Sequence, residues 1–339
     1  MKHARAGILS VRAVNEYRRR DTLAYLGLRL YLDNAAACTD DWAQEIAVNS
    51  ILRRSNPIYF RTSHFKEMSG GGSPEHRSIF LPSATEALAE AVLLRECSRR
   101  GRAFRNPPVA FSYRLKAGDD RRGLFEHYMR GIRDRQHRIS DACEGCPDGV
   151  IRYADIRKFY PSISTELAAK AWHTCSESGQ LPIQFRNLGE KLIVDQSRVL
   201  GVESRGILTG PMFSHLLGNL VLRRIDEEFG ANPLVKYFRY VDDIILVGER
   251  DAVRLSLEAL RNRLAEQQLE LHDDESPKSY GVSTGDWLEG RRDFDQNVRA
   301  DSWPSLICDL KHFLLVNPDL TGALQLAFRA ESFRLPVRD

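Results

Sequence analysis

Two adjacent acids, Asp242 and Asp243, stand between apolar stretches in Lys236-Tyr-Phe-Arg-Tyr240-Val241-Asp242-Asp243-Ile244-Ile-Leu-Val247, and this pattern constrains the fold more than any other in the chain. The flanks are rich in β-branched and aromatic residues, which predicts two strands joined by a tight turn over 235–248. Such a turn projects both carboxylates from one edge of a sheet. Like charges side by side repel, so the placement makes sense where a cation neutralises them; a solvated acidic turn is the plain alternative.

A second apolar run, Val150 to Ile156, reads as a strand with Asp155 at its C-terminal end. Beside the predicted hairpin, that acid would complete a set of three carboxylates drawn from two segments. Such a set can hold two Mg²⁺ ions about 3.5–4 Å apart, the arrangement that activates a hydroxyl and stabilises a leaving phosphate. Oxygen donors and phosphate substrates both favour Mg²⁺ over a softer metal. Between the acidic segments lies Arg205-Gly206-Ile-Leu-Thr209-Gly210-Pro211-Met-Phe-Ser214-His-Leu-Leu-Gly218-Asn219-Leu-Val-Leu222. Its Gly-Pro turn opens a helix over 212–229 and lets backbone approach a flat ligand closely; Gly218 leaves room on one helix face.

Elsewhere the periodicity predicts helices over 10–32 and 42–54, then a flexible Ser69-Gly70-Gly71-Gly72-Ser73-Pro74 segment. Ser83-Ala-Thr-Glu86 is a capping box opening a helix through Arg99 that stops at Gly101. A strand at 108–114, a basic helix at 122–138 and a Cys/Gly/Pro turn at 143–149 follow. Helices are expected over 165–176, 182–198 and 251–268, and two more within 303–333, broken at Asn317-Pro318. Strands separated by helices, with one tight hairpin, imply an α+β fold whose sheet carries helices on one face. No internal repeat is visible.

With 339 residues and 42% hydrophobic content the chain can bury a substantial core. Residues 1–140 hold 25 Lys+Arg against 15 Asp+Glu, leaving 24 against 31 from the chain totals of 49 and 46, so a basic front half adjoins an acidic back half. That asymmetry suits a polyanion on one face and a cation elsewhere, though solvated helices carry such charge too. Six scattered cysteines lack disulfide-scaffold density, and Cys143-Glu-Gly-Cys146 has no second pair at zinc-ribbon spacing, so two free thiols in a turn are expected. No run approaches the roughly 20 apolar residues of a membrane span and the N-terminus lacks a leader's apolar core, which places the chain in the cytoplasm, without a membrane partner.

Three segments resemble motifs A, B and C of reverse transcriptases: Asp155-Ile-Arg-Lys-Phe-Tyr-Pro-Ser-Ile163, Gly206-Ile-Leu-Thr-Gly-Pro-Met-Phe-Ser214 and Tyr240-Val-Asp-Asp243, in the family's order. The resemblance implies a right-hand polymerase fold. Fingers and N-terminal helices would span 1–150. A palm of antiparallel sheet backed by helices would span 151–285, with a fingers-type helical insertion at about 178–204, and a short helical thumb 286–339. It implies Asp155, Asp242 and Asp243 as catalytic residues, and two Mg²⁺ ions, with Mn²⁺ as a possible substitute, held by these and Ile156. Substrate would be met by Lys66 and Arg77, similar to basic fingers residues that grip a triphosphate, and by Phe159, Thr209 and Gly210. Tyr160 stands where the family has a steric gate, a ring that leaves no room for a 2′-hydroxyl. Lys278 resembles the motif D lysine that protonates departing pyrophosphate.

The short tract after residue 285 fits poorly with an RNase H, endonuclease or maturase domain, and the retron Asn-Ala-x-x-His and Val-Thr-Gly segments are absent. Phe159-Tyr-Pro-Ser-Ile163, Phe111-Ser-Tyr113-Arg114-Leu and Leu335-Pro336 look most like defence-associated and abortive-infection bacterial reverse transcriptases. This implies antiphage action with an RNA template or non-coding RNA, dNTPs, a DNA product, and a homo-oligomer or a second reverse transcriptase subunit. Thr209 stands where several families have Gln. Two rivals remain: an RNA-dependent RNA polymerase, and a non-catalytic RNA-binding scaffold that keeps the palm.

Overall fold

The computed structural model describes residues 12, 16, 49–68, 74–117, 123–200, 206–274, 276, 278–289, 314 and 316–330. The helix expected over 10–32, most of that over 42–54, the glycine segment 69–73 and much of 286–339 lie outside them. The described residues form a mixed helix and sheet structure with two antiparallel sheets.

A short helix, α1 (Ile51–Arg53), leads into a two-stranded hairpin of β1 (Tyr59–Met68) and β2 (Pro74–Pro82). The sequence reading missed these strands, because polar residues alternate with Phe60, Phe65 and Phe80 too weakly to mark a buried face. Next comes α2 (Ala84–Arg99), which is buried along most of its length, Glu86, Glu90 and Arg95 included, and contributes Ala87 to Ala89, Ala91 to Leu94 and Cys97 to the main core. Its start agrees with the capping box, but the bonding differs. The Ser83 hydroxyl donates to the Glu86 carboxylate instead of accepting from backbone. Glu86 also accepts from Arg54 and from the Ile58 N–H, so it ties α1 and the hairpin entry to α2.

No strand forms at 108–114. Ala110 makes one isolated parallel bridge to Arg239, and Tyr113 then turns to φ +48°, a left-handed conformation that ends any extended run. The basic helix α3 runs Tyr128–Glu144, later than expected, starting where the His127 ring accepts the Met129 N–H. It ends at Gly145, so Cys143 sits in the last turn with its thiol pushed up to about 12 by burial, aided by Cys146 and Glu144. Both thiols are free.

Then follow β3 (Val150–Asp155), α4 (Phe159–Ser162), α5 (Thr165–Ser178) and α6 (Ile183–Leu200). After these come α7 (Met212–Gly230), β4 (Val235–Tyr240), β5 (Asp243–Gly248) and α8 (Arg250–Ala265). The chain closes with β6 (Gly281–Ser283), α9 (Thr284–Leu288) and, past a 3₁₀ turn at Pro318, α10 (Thr321–Ala330). Helices α5 to α8 and the β4–β5 hairpin fall close to the predicted positions because their apolar periods are long, and α5 is also capped by Ser164, whose hydroxyl accepts the Leu167 N–H at 3.1 Å; α4 and α9 were not expected.

The main sheet has strand order β4-β5-β3-β6 with all neighbours antiparallel. The expectation of helices on one face is corrected: both faces are covered. Ile244 and Leu246 face the core built with α7 and α8, whereas Ile245 and Val247 pack with Ile139 and Cys143 of α3 and Trp287 of α9. The sequence carried that signal, since Ile-Ile-Leu-Val has no polar alternation and a strand that is apolar throughout needs cover on both sides. Cys97 of α2 is 0% exposed, and burial raises its thiol well above the ordinary value.

Candidate active site

The register of the sheet builds the site. Asp155, last in β3, lies directly opposite Asp243, first in β5, and Tyr240 is the partner of Asp243 across the turn. The Ile156 N–H donates to the Asp242 carbonyl at 3.1 Å, which joins the end of β3 to the turn. Carboxylate oxygens of Asp155, Asp242 and Asp243 consequently all lie within 4.8 Å of one another, the one such group of potential ligands among the described residues.

The electrostatics follow from that crowding. Burial pushes Asp242 up to about 6, and the neighbouring Asp155 and Asp243 add to the shift. Asp243 moves the same way, through its low-polarity surroundings and Asp155, against a downward pull from Arg135. Its side chain reaches solvent, so the effect weighs less there than at Asp242. Asp155 is flanked by two nitrogens: Lys278 Nζ and His272 Nε2 each stand 3.2 Å from its Oδ1, and the backbone N–H of His272 donates to its backbone carbonyl at 2.9 Å. Arg135 of α3 lies over the Tyr240 ring at 5.2 Å, and burial lowers its pKa while Asp243 raises it.

The donor set fits a hard divalent cation: three carboxylates, no sulfur, and repulsion that a cation would relieve. Such an ion would be held by Asp155, Asp242 and Asp243.

Of the substrate residues read from sequence, Lys278 is brought to the acids. Phe159 and Tyr160 are buried in α4 just beyond them, with the Tyr160 hydroxyl 2.6 Å from His215 Nδ1 on α7. His215 in turn stacks flat on Tyr113 at 3.8 Å. Gly218 serves a packing purpose here: a Cβ on it would lie 2.9 Å from the Phe159 ring. The 206–211 segment is pinned at both ends, by the Ile207 N–H to the Tyr160 carbonyl at 3.1 Å and by the Phe80 N–H to the Thr209 carbonyl at 2.8 Å. Gly210 has φ +125°, and a Cβ there would sit 2.3 Å from the Phe80 carbonyl, so only glycine fits against β2. Arg77 is exposed on β2 opposite His64, and Lys66 falls at the register shift of β1. Sequence reasoning missed Arg135, His215, His272, Asp226 and Arg239. A single Arg within the apolar Tyr-Phe-Arg-Tyr run was the one signal available for the last.

Fold and site together define an antiparallel α+β protein with a three-carboxylate centre, suited to a cation, at the ends of its two inner strands. No protein-family model matches the chain, and neither does any curated protein. Among solved structures it is similar to telomerase from Candida albicans in complex with a fragment of telomeric RNA, at 12% identity and a TM-score of 0.43 over 69% of this chain. The chain spans 44% of that protein's length.

Proposed function

We propose that the protein is an RNA-directed DNA polymerase, with 151–285 as palm, the preceding tract as fingers and 286–339 as a short thumb. The observation that carries the reading is the convergence of Asp155, Asp242 and Asp243 to within 4.8 Å across two neighbouring strands. Bound there, two Mg²⁺ ions would favour ionisation of a primer 3′-hydroxyl and offset charge on the α-phosphate and the departing pyrophosphate. The residues do the rest. The three carboxylates fix where the attacking and leaving oxygens sit. Lys278, whose Nζ stands 3.2 Å from Asp155 Oδ1, would give a proton to pyrophosphate as the α-phosphorus passes from pyrophosphate to the 3′-oxygen.

Tyr160, buried in α4 with its hydroxyl on His215 of α7, is proposed to set a deoxynucleotide preference, and Arg77 and Lys66 on the β1–β2 hairpin are proposed to meet the triphosphate. Ile156 is proposed to add its carbonyl to the metal shell. Sequence likeness to defence-associated enzymes supports an antiphage role with a non-coding RNA, in a homo-oligomer or with a second reverse transcriptase subunit.

Extension of a primer on an RNA template, with dNTPs and with NTPs, tests the reading. The parent chain should add deoxynucleotides in Mg²⁺, and Asp155→Asn should add none while keeping its fold by circular dichroism. Unchanged extension by Asp155→Asn would defeat the mechanism. Phage protection by Asp242→Ala equal to that of the parent would separate the cellular role from polymerisation.

A further inference from the structure

The turn that presents Asp242 and Asp243 is strained. Val241, a β-branched residue, holds φ +60°, a conformation that costs such a side chain on the order of 1–3 kcal/mol. Something must hold it there, and two side chains do. The Val241 N–H donates to Ser112 Oγ at 2.8 Å, and its carbonyl accepts from Arg239 Nη1 at 2.8 Å.

Arg239 is itself anchored in the core. Alternation along β4 turns Tyr237 and Arg239 toward α7. Asn219 and Asp226, seven positions apart, share the facing side of that helix. Arg239 Nε and Nη2 grip the two Asp226 oxygens at 2.7 and 2.6 Å, and Nη2 also reaches Asn219 Oδ1 at 3.1 Å. Asn219 Nδ2 donates to the Ser112 carbonyl at 3.1 Å, and the Tyr237 hydroxyl to Asp226 at 3.1 Å. Both charged side chains are 0% exposed. A buried ion pair of this kind is often matched or bettered in stability by well-packed apolar residues, so stability does not explain its presence. Geometry does: the guanidinium spends one edge on the helix and another on the carbonyl just before Asp242.

We infer that Arg239 and Asp226, with Asn219 and Ser112, are positioning residues: a clamp that holds the Val241 turn and so aims the Asp242 and Asp243 carboxylates at a cation shared with Asp155. The inference rests on the proposed reading of those acids as metal ligands.

Mn²⁺ titration of the whole chain, followed by electron paramagnetic resonance without nucleotide or nucleic acid, separates the two claims. Three proteins are compared: the parent, Asp155→Asn, and the combined Arg239→Met/Asp226→Leu/Tyr237→Phe variant, which removes every polar group of the pair. The parent should bind and Asp155→Asn should bind far more weakly; equal binding by those two would overturn the metal reading and the clamp with it. The combined variant should unfold within about 5 °C of the parent yet lose Mn²⁺ affinity by about 10- to 100-fold, as loss of an outer support does. Parent-like affinity in that variant, beside a weakened Asp155→Asn, would overturn the clamp alone. Should the combined variant fail to fold, Ser112→Ala decides instead: it leaves the ion pair whole and frees the Val241 N–H. A drop in Mn²⁺ affinity is expected together with a melting temperature lowered by only the few degrees that one lost bond costs, and unaltered affinity would overturn the clamp.

Discussion

At Asp242, under the proposed reading, a proton and a metal ion would compete for the same oxygens. With its carboxyl at about 6, cation affinity should rise as pH rises through that value and level off above it, which Mn²⁺ binding across a pH series would register. The cation-free chain should respond in the opposite sense. A folded-state pKa above the unfolded one contributes stability that is full below the ordinary carboxylate range and lost as pH climbs through about 6. Arg135 opposes the rise at Asp243, so Arg135→Gln should shift the pH dependence of Mn²⁺ binding upward; an unmoved midpoint would show that its charge does not reach the site. The bond from Tyr160 to His215 has a specificity consequence under the proposed reading. His215→Leu frees a ring that must stay fixed to exclude a 2′-hydroxyl, and preference for deoxy- over ribonucleotides should fall by roughly five- to tenfold, the worth of one buried hydrogen bond. Single-nucleotide incorporation measures it, and undiminished preference would show that packing alone holds the ring.

Among the helices, α5 and α6 are joined at a point that leaves no room for change. A Cβ on Gly189 would lie 2.2 Å from the Trp172 indole, itself 0% exposed and held by a bond from Nε1 to the Arg186 carbonyl at 3.1 Å. Gly189→Ala, though favourable to helix propensity, should therefore destabilise the protein by about 1–3 kcal/mol in urea unfolding. Nothing in the sequence marks that glycine, because tertiary approach has no local signature. The same distinction runs through the fold. The β4–β5 hairpin, α5 to α8 and the acid at the end of β3 were legible, since period, caps and turn chemistry are local. The strand expected at 108–114 failed because Tyr113 turns left-handed to stack on His215, a residue far along the chain. The three acids could be named from their neighbours, whereas Arg239 and Asp226 are defined by a meeting of strand and helix that only the folded chain displays.

For the whole molecule, a ligand that binds the native state alone stabilises it by mass action. Mg²⁺ at about 100 times its dissociation constant adds about 2.7 kcal/mol, which should raise the melting temperature of the parent by several degrees and leave Asp155→Asn unmoved. An equal rise in both would place the ion elsewhere. The uneven distribution of charge along the sequence bears on a polyanion partner, whose affinity should fall steeply with added salt if phosphates are met by the basic half. Cys97 carries a different consequence. Its sulfur lies at the bottom of the main core and stays protonated, so an alkylating reagent in the surrounding buffer meets it only in molecules whose centre has come apart. The protein thus holds a chemical clock for its own opening, and the rate at which that one sulfur gains a label, followed by peptide mass, reads how often the interior is exposed.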